Sequence, residues 1–161
     1  MKELFRFREA QESDIWLLYN WANDPVVRAM SFNKSKISEE EHKSWFKNAL
    51  ACQNPMIYVA EFEENGTAVG TVKLDQNQVI GITLDVEYRG KGLATPLLKR
   101  FLQFIENRFG YSFSIYAYIK DENFASISTF EKSGFQLQGN FEEKGFKFKK
   151  YEYKCGNDGN E

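Results

Sequence analysis

The chain has 161 residues, of which 42% are hydrophobic and 27% are charged, and this composition fits a single compact domain with a buried core. A net charge of −2 at pH 7 argues against a nucleic-acid-binding surface, for which clustered lysines and arginines would be expected. No apolar stretch approaches the roughly 20 residues of a membrane span, and the first residues lack the apolar core of a secretory signal. We therefore expect a cytoplasmic protein with no membrane or nucleic-acid partner.

The first part of the chain predicts a strand followed by two helical segments. Residues 4–8 alternate apolar and polar side chains, which is typical of a strand. Ser13 or Asp14 can then cap a helix that carries apolar residues on one face. That helix should end at residues 23–25, because a proline restricts the residue before it and Asn and Asp favour turns. Pro25 can itself start a short helical turn.

A capping box and a hairpin signal organise the next segment. Ser38 and Glu41 form the Ser-x-x-Glu pattern that opens a helix with an apolar stripe. Residues 56–61 and 68–74 have the composition of two antiparallel strands. Short polar turns separate these strands and follow the second one, at residues 64–66 and 75–78.

The second half of the chain alternates strands with helices and ends in a hairpin. Residues 79–86 form a mostly apolar run broken by Gly81, which often marks a bulge or a close approach of another backbone. Apolar residues recur at helical spacing from Leu93 to Phe109, and Gly110 is expected to cap that helix. The remaining predicted elements are a strand at 112–118, a helix from about Asn123, and strands at 135–139 and 146–153 joined by a turn at 142–145.

A glycine turn with two cations lies between the fourth strand and the long helix. Arg89-Gly90-Lys91-Gly92 precedes a helix whose first backbone N–H groups have no intrahelical partner. The helix dipole places partial positive charge at the same end, so the turn suits a phosphate group without a metal. Glycine lets the backbone come close, and Arg89 and Lys91 add formal charge. The alternative is a β–α turn whose cations merely face solvent.

Two blocks of sequence together resemble the acyl-CoA-binding motifs of the GCN5-related N-acetyltransferase (GNAT) family. Arg89-x-x-Gly92-x-Ala94 resembles the pyrophosphate loop of that family, and residues 123–135 resemble its Asn-x-x-Ser…Gly-Phe helix beside the pantetheine arm. The resemblance implies acetyl-CoA as the cofactor. Because the two cysteines and the one histidine do not cluster, no metal site is expected.

The fold that this resemblance implies is the α+β (mixed α/β) acyl-CoA N-acyltransferase fold. Its central mixed, mostly antiparallel sheet has about seven strands flanked by helices, and a V-shaped splay opens between the fourth and fifth strands. We assign residues 1–155 to one such domain and residues 156–161 to a disordered tail. Dimers are frequent in the family, so a homodimer stays open. The cofactor-binding residues implied are Leu84, Asp85, Val86, Arg89, Gly90, Lys91, Gly92, Leu93, Ala94, Thr95, Asn123, Ser126 and Phe130.

The reaction that the resemblance implies is direct attack of a primary amine on the acetyl thioester. A backbone N–H near Leu84 or Asp85 would polarise the thioester carbonyl. Phe130 stands where many family members carry a tyrosine that protonates the departing thiolate. Water, Tyr118 or Ser126 could supply that proton, or the good leaving group needs little acid. The candidate bases are His42, Glu61 and Asp75.

Residues 21–46 are the most individual segment and resemble the acceptor lobe of acetyltransferases that act on nucleotide-linked aminosugars, as in pseudaminic acid synthesis. In that reading, Phe32 or Trp45 stacks on a base or packs on a deoxysugar, and Arg28 meets a diphosphate. The expected substrate-binding residues are Arg28, Ser31, Phe32, His42 and Trp45.

Three alternatives stay open for the function. Relatives with a similar Asn-Asp-Pro-x-Val segment acetylate ribosomal-protein N-termini, so a protein N-terminus is one alternative acceptor. A polyamine is another, and it would favour an acidic cleft supplied by Asp75, Glu61 and Glu63. The third is a catalytically silent acyl-CoA-binding module, for which the absence of a tyrosine at Phe130 is the best argument.

Overall fold

The described residues contain seven strands in two antiparallel sheets. The computed structural model describes residues 4–110 and 112–156. The first sheet has the strand order β1-β2-β3-β4, and the second has the order β5-β7-β6. The strands are β1 (Phe5–Glu9), β2 (Met56–Phe62), β3 (Ala68–Leu74), β4 (Ile80–Leu84), β5 (Phe113–Lys120), β6 (Gln136–Glu143) and β7 (Phe146–Cys155).

Five α-helices pack around these sheets in the same described ranges. They are α1 (Ile15–Ala22), α2 (Pro25–Met30), α3 (Glu39–Cys52), α4 (Ala94–Phe109) and α5 (Phe124–Lys132). Short 3-10 turns precede α1 and follow β4, at Glu12–Asp14 and Val86–Tyr88. Within the part of the chain that the structure describes, none of the helices has the length and apolar character needed to cross a bilayer. The cytoplasmic location stays a prediction.

The two sheets meet just before β4 and near the middle of β5, and then diverge. Val79 and Tyr116 form a parallel bridge, and the Tyr116 amide donates to the Gln78 carbonyl at 2.8 Å. Beyond this point β4 and β5 belong to different sheets. The mixed α+β fold and the predicted V-shaped splay between the fourth and fifth strands are therefore confirmed.

Alternation along β2 divides the core into two layers. Tyr58 and Ala60 face the larger cluster around α4, whereas Ile57 and Val59 face a smaller cluster under α1 and α3. Successive side chains of a strand point to opposite faces, so an apolar run such as β2 is buried on both sides. The first sheet is thus held between α4 on one face and α1 with α3 on the other.

Local side-chain caps fix the starts of α2 and α3. Asp24 accepts a hydrogen bond from the Val26 amide at 2.9 Å, and Pro25 is the first residue of α2. Ser38 and Glu41 form the predicted reciprocal capping box of α3, with the Ser38 Oγ 3.1 Å from the Glu41 amide. The predicted stop and start signals of these helices are confirmed.

The close backbone approach in the first sheet occurs at Gly70 rather than at Gly81. A Cβ at Gly70 would lie 2.2 Å from the Thr83 carbonyl oxygen, so a side chain there would collide with β4. A Cβ at Gly81 would meet nothing within 4 Å, and the pairing of β3 with β4 is regular there. The register shift lies instead in β2, between Ala60 and Glu61. The expectation for Gly81 is therefore wrong.

The last hairpin is longer than the sequence predicts. β6 continues to Glu143, and the turn consists of Lys144 and Gly145, with φ values of 50° and 83°. Positive φ at both positions is typical of a type I′ hairpin turn. Because nearly every residue of β6 is exposed, no burial pattern marks its end in the sequence. The predicted tail, apart from Gly156, lies outside the described residues.

An ion-pair network ties β1 to β2 and to the segment before α1. Arg8 donates to Asp14 at 2.8 and 2.9 Å and to Glu61 at 2.7 Å, and Arg6 donates to Glu61 at 2.9 Å. The predicted side-chain cap of α1 is wrong, because Asp14 is engaged by Arg8 instead. Hydrogen bonds from Arg8 lower the pKa of Asp14. Burial alone would raise the pKa of Glu61, but the hydrogen bonds from both arginines lower it.

We expect Arg8→Gln to lower the free energy of unfolding at pH 7 by about 2 kcal/mol, because two nearly buried carboxylates lose charged hydrogen bonds. The pKa values of Asp14 and Glu61 are lowered by folding. The two carboxylates therefore contribute fully to the free energy of unfolding above roughly pH 4.5, the upper end of the pKa range of unfolded carboxyl groups. This contribution is lost as the pH falls through the pKa values of the folded state. Urea unfolding between pH 7 and pH 3 should show this decline in the wild type and a shallower decline in Arg8→Gln.

Arg108→Gln, which removes an exposed pair with Glu9, is the control and should lower the free energy of unfolding by less than about 1 kcal/mol. Parallel pH profiles for wild type and Arg8→Gln would contradict the assignment.

Candidate active site

A cleft of about 690 Å³ opens where β4 and β5 diverge. Its lining comes mainly from those two strands, from α2 and the segment after it, from α3 and from α5, with further residues from α1, from β3 and from the turn into α4. A cleft of this size accommodates a ligand as large as a nucleotide.

The free edge of β4 presents backbone groups to this cleft. Hydrogen-bonded pairs alternate along an antiparallel ladder, and the Asp85 amide donates to the Val69 carbonyl at 2.8 Å. By the register of β3 and β4, the amides of Ile82 and Leu84 therefore point away from β3 and toward the gap. Of the two amides expected to polarise the thioester, that of Asp85 is already bonded within the sheet. The Leu84 amide is the one that faces the cleft.

The start of α4 is open to an anion. Gly90 and Gly92 have φ values of 72° and 74°, which favour glycine, and a Cβ at either position would meet nothing within 4 Å. Leu93 occupies the N-cap position and gives α4 no side-chain hydrogen bond. In this part of the described chain, the first amides of α4 are thus left to solvent or a ligand. The residues present fit the phosphates of coenzyme A.

The Arg89 side chain, expected to add charge to the phosphate-binding turn, is held by other parts of the chain. Its Nε donates to the Leu84 carbonyl at 3.0 Å and one terminal nitrogen donates to Asp24 at 2.9 Å, while the other terminal nitrogen is buried without a partner in the described residues. Burial alone would raise the pKa of Asp24, but the hydrogen bonds from Arg89 and from the α2 amides lower it. Arg89 thus joins the end of β4 to the start of α2 while it lines the cleft, and Lys91 is the cation of this turn that forms no salt bridge in the described residues.

β4 ends two residues earlier than the predicted apolar run, because Asp85 starts a 3-10 turn. One Asp85 oxygen accepts from the Glu87 amide at 2.9 Å, and the other accepts from Trp21 Nε1 at 2.7 Å. Val86, in that turn, is 63% exposed. The Asp85 side chain therefore holds the turn in place between β4 and α1.

The second cofactor block lies along the cleft on α5. Asn123 caps this helix by accepting from the Ser126 amide at 3.2 Å, and both residues line the cleft with Phe130. Phe130 is 3% exposed and packs edge-on against Phe135. Tyr118 on β5 also lines the cleft, and its side chain is 40% exposed. Its phenol is thus one candidate for the hydroxyl that Phe130 lacks, and the Ser126 hydroxyl is another.

His42 lines the cleft as a neutral ring. Its Nε2 lies 2.7 Å from the Ile15 carbonyl, which can only accept, so Nε2 carries the proton. Burial lowers the pKa of His42 more than this hydrogen bond raises it. The ring stacks on Phe46 and approaches Trp45, leaving Nδ1 as its proton acceptor.

Glu61 and Asp75 are not among the residues that line the cleft. Glu61 is held by the two arginines of β1, as described above. The Asp75 carboxylate accepts from the amides of Asn77 and Val79 at 2.8 and 2.9 Å, and so fixes the turn before β4. Both are therefore corrected from candidate bases to structural residues.

Arg28 and Ser31 shape the loop after α2. The Arg28 guanidinium donates to three backbone carbonyls at 2.8 to 3.1 Å and to the Ser31 Oγ at 3.1 Å. Ser31 in turn donates to the Val27 carbonyl at 2.6 Å. Both line the cleft, as do Phe32 and Trp45, and Arg28 contributes its charge to the wall. The expected grip of Arg28 on a diphosphate is limited, because most of its donors are already used.

Two lysines that the sequence analysis did not select also line the cleft. The Lys73 ammonium lies 4.7 Å from the Trp45 ring centroid, and burial, with a smaller effect of Arg28, lowers the pKa of Lys73 to about 8. Lys120 ends β5 and is only 2% exposed, and its ammonium is 3.4 Å from the Ala29 carbonyl. A lysine within or at the end of a strongly apolar strand is the signal that could have identified them.

Comparison with known proteins agrees with this geometry. Residues 5–136 match the family model described as an acetyltransferase (GNAT) domain. The chain therefore belongs to the GNAT family. The predicted N-acetyltransferase activity and the predicted cofactor, acetyl-CoA, are confirmed. Among curated protein sequences, none matches the chain significantly.

Several solved structures share the fold. A spermidine N-acetyltransferase from Vibrio cholerae, in complex with CoA and spermine, is 18% identical with a TM-score of 0.80, covering 94% of this chain and 95% of that one. A domain from Methanocaldococcus jannaschii is 26% identical with a TM-score of 0.78, covering 96% and 100%. The aminoglycoside acetyltransferase AAC(6')-Ib in complex with coenzyme A is 20% identical with a TM-score of 0.74, covering 93% and 94%.

We expect Gly92→Asp to weaken CoA binding more than tenfold, because it places a carboxylate at the open start of α4. Gly110→Asp is the matched control: it also replaces a glycine of positive φ, at 67°, with open space around it, but at the other end of the same helix. Calorimetric titration of CoA into the two variants should separate them, with thermal unfolding showing that both fold. Equal CoA affinities in the two variants would tell against the phosphate-binding role of this loop.

Proposed function

We propose that this chain acetylates the primary amine of a small acceptor that carries negative charge, and that a nucleotide-linked aminosugar is that acceptor. The observation that carries the proposal is the charge of the cleft wall. Apart from the ion-paired Arg89, the described lining residues include three cations, Arg28, Lys73 and Lys120, and one acid, Glu41. A cavity wall with this balance attracts anions and repels polycations.

The polyamine alternative requires the opposite charge. The Vibrio cholerae spermidine N-acetyltransferase is in complex with spermine, a polycation at neutral pH, and it shares this fold at 18% identity. In the present chain the acids expected to serve such an acceptor, Asp75, Glu61 and Glu63, are not among the lining residues of the cleft. The charge of the wall therefore favours the aminosugar over a polyamine.

The arrangement of backbone groups supports acyl transfer by direct attack. When bound, acetyl-CoA supplies the acetyl thioester. Residues at the start of α4 would hold its phosphates, and the free edge of β4 would hold its pantetheine arm. The Leu84 amide points into the gap, where it can donate to a developing oxyanion.

Two side chains are suited to the proton transfers of this reaction, one as a base and one as an acid. The neutral His42 keeps Nδ1 as an acceptor at pH 7 and is suited to take a proton from an ammonium. Tyr118 lines the cleft, and its phenol is suited to donate a proton to the leaving thiolate. A sugar amine is less basic than a lysine, so the absence of a carboxylate from β4 costs this reaction little.

A panel of acceptors tests the proposal. We expect thiol release from acetyl-CoA to be fastest with UDP-linked aminosugars, and kcat/KM for spermidine or an N-terminal peptide to be at least tenfold lower, because the described cleft wall carries more cations than acids. Acetyl-CoA hydrolysis without acceptor is the background control. Faster turnover of spermidine or of the peptide would reject the aminosugar. Tight CoA binding with no turnover of any amine would instead favour a silent binding module.

Tyr118→Phe should lower kcat at least tenfold while leaving the KM for acetyl-CoA within about twofold, because it removes only the proposed proton donor. Tyr116→Phe, two residues earlier on the same strand, is the matched control and should leave both constants unchanged, since Tyr116 is not among the residues that line the cleft. Steady-state kinetics on the best acceptor of the panel makes the measurement. Unchanged kcat in Tyr118→Phe would mean that water or Ser126 donates the proton.

A further inference from the structure

Lys120 is a nearly buried cation at the wall of the cleft. Its side chain is 2% exposed, and its ammonium makes one long hydrogen bond, 3.4 Å to the Ala29 carbonyl. The ammonium also lies 4.4 Å from the centroid of the Phe146 ring and 5.8 Å from that of Phe32. In the described part of the chain no carboxylate forms a salt bridge with it, and Glu122 acts on its charge only from a longer distance.

This environment is unusual for a structural lysine. A buried ammonium normally has an ion pair or several good hydrogen bonds, because it has left water. Aromatic rings offset part of that cost but form no directed hydrogen bonds with all three N–H donors. Among the described residues Lys120 therefore has N–H donors without a partner, and it lines the cleft.

Two partly exposed aromatic rings line the same cleft as this cation. Phe32 and Tyr118 both line the cleft, and each is 40% exposed. Phe32 meets the rings of Phe146 and Phe148 edge-on at 5.9 and 5.3 Å, and Tyr118 meets Phe148 at 6.0 Å. The rings of β7 thus hold Phe32 and Tyr118 in place and leave part of their surfaces to a ligand. A flat, apolar ring system beside an anion would match both features.

We propose that Lys120 and Phe32 form the nucleotide subsite of the acceptor. The Lys120 ammonium binds a phosphate oxygen of the acceptor's diphosphate, and the exposed Phe32 ring packs against its nucleoside. This inference rests on the proposed function, because it names the part of the same cleft that would recognise the nucleotide. In this subsite Lys120 takes the place of Arg28 as the main phosphate contact, because the donors of Arg28 shape the loop after α2.

Direct binding of UDP tests the subsite without turnover. The protein is first saturated with CoA, so that the phosphate-binding start of α4 is occupied, and UDP is then titrated by calorimetry. We expect the wild type to bind UDP and Lys120→Met to bind it at least tenfold more weakly, because one charged hydrogen bond is lost. Lys147→Met removes the same charge from an exposed position on β7 and should match the wild type.

Methionine has nearly the length of lysine and suits a buried position, and unchanged CoA affinity would show that Lys120→Met has kept the fold. Phe32→Ala provides a second test that does not alter a buried residue. It should also weaken the binding of UDP at least several-fold. Equal UDP affinities in wild type, Lys120→Met and Phe32→Ala would overturn the subsite. Failure of the CoA-saturated wild type to bind UDP would overturn it as well.

Turnover separates this inference from the proposed function. If Lys120→Met raises the KM for a UDP-linked aminosugar at least tenfold and leaves the KM for the free aminosugar unchanged, the subsite is supported. If Lys120→Met leaves both KM values unchanged while aminosugars are acetylated, the subsite fails and the proposed function stands. If UDP binding depends on Lys120 but no aminosugar is acetylated, the subsite is supported and the proposed acceptor fails.

Discussion

The parallel bridge between Val79 and Tyr116 is the contact on which the candidate site depends. It joins the two sheets at one point and leaves the rest of β4 with a free edge. An unpaired strand edge presents backbone donors and acceptors that need partners, and proteins normally cover such edges. Here the edge faces a cleft, and the amides of Ile82 and Leu84 point into it. A pantetheine arm along this edge would take the place of a neighbouring strand.

The charged residues are distributed so that acids hold the structure together and cations line the cleft. Asp14 and Glu61 are engaged by arginines, Asp24 by Arg89 and Asp85 by Trp21. The cleft wall consequently has a positive balance although the chain as a whole has a net charge of −2. Recognition of a ligand follows the local field inside a cleft more closely than the overall charge. The charge of the wall is a property of this chain, whereas spermine is bound to a protein that is 18% identical to it.

Burial also decides which groups can exchange protons. His42 is neutral because it is buried against aromatic rings, and its bond to the Ile15 carbonyl leaves Nδ1 as an acceptor. Phe130 is buried against Phe135 and has no proton to give. The Tyr118 phenol is on the neighbouring strand and is partly exposed to the cleft. Acid and base functions would thus be divided between α3 and β5.

The sequence by itself determined the features that depend on residues close together in the chain. The Ser38–Glu41 capping box, the start of α2 at Pro25 and the glycine turn before α4 were all predicted, because each arises within about four residues. The order of strands and helices followed from periodicity, and the GNAT fold from two short motifs. Only the tertiary structure decided the roles of residues whose partners lie far away. Arg89 meets Asp24 across 65 residues, Arg6 meets Glu61 across 55, and Lys120 meets Ala29 across 91. No local pattern encodes such pairs, because the packing of the two sheets and their helices brings them together.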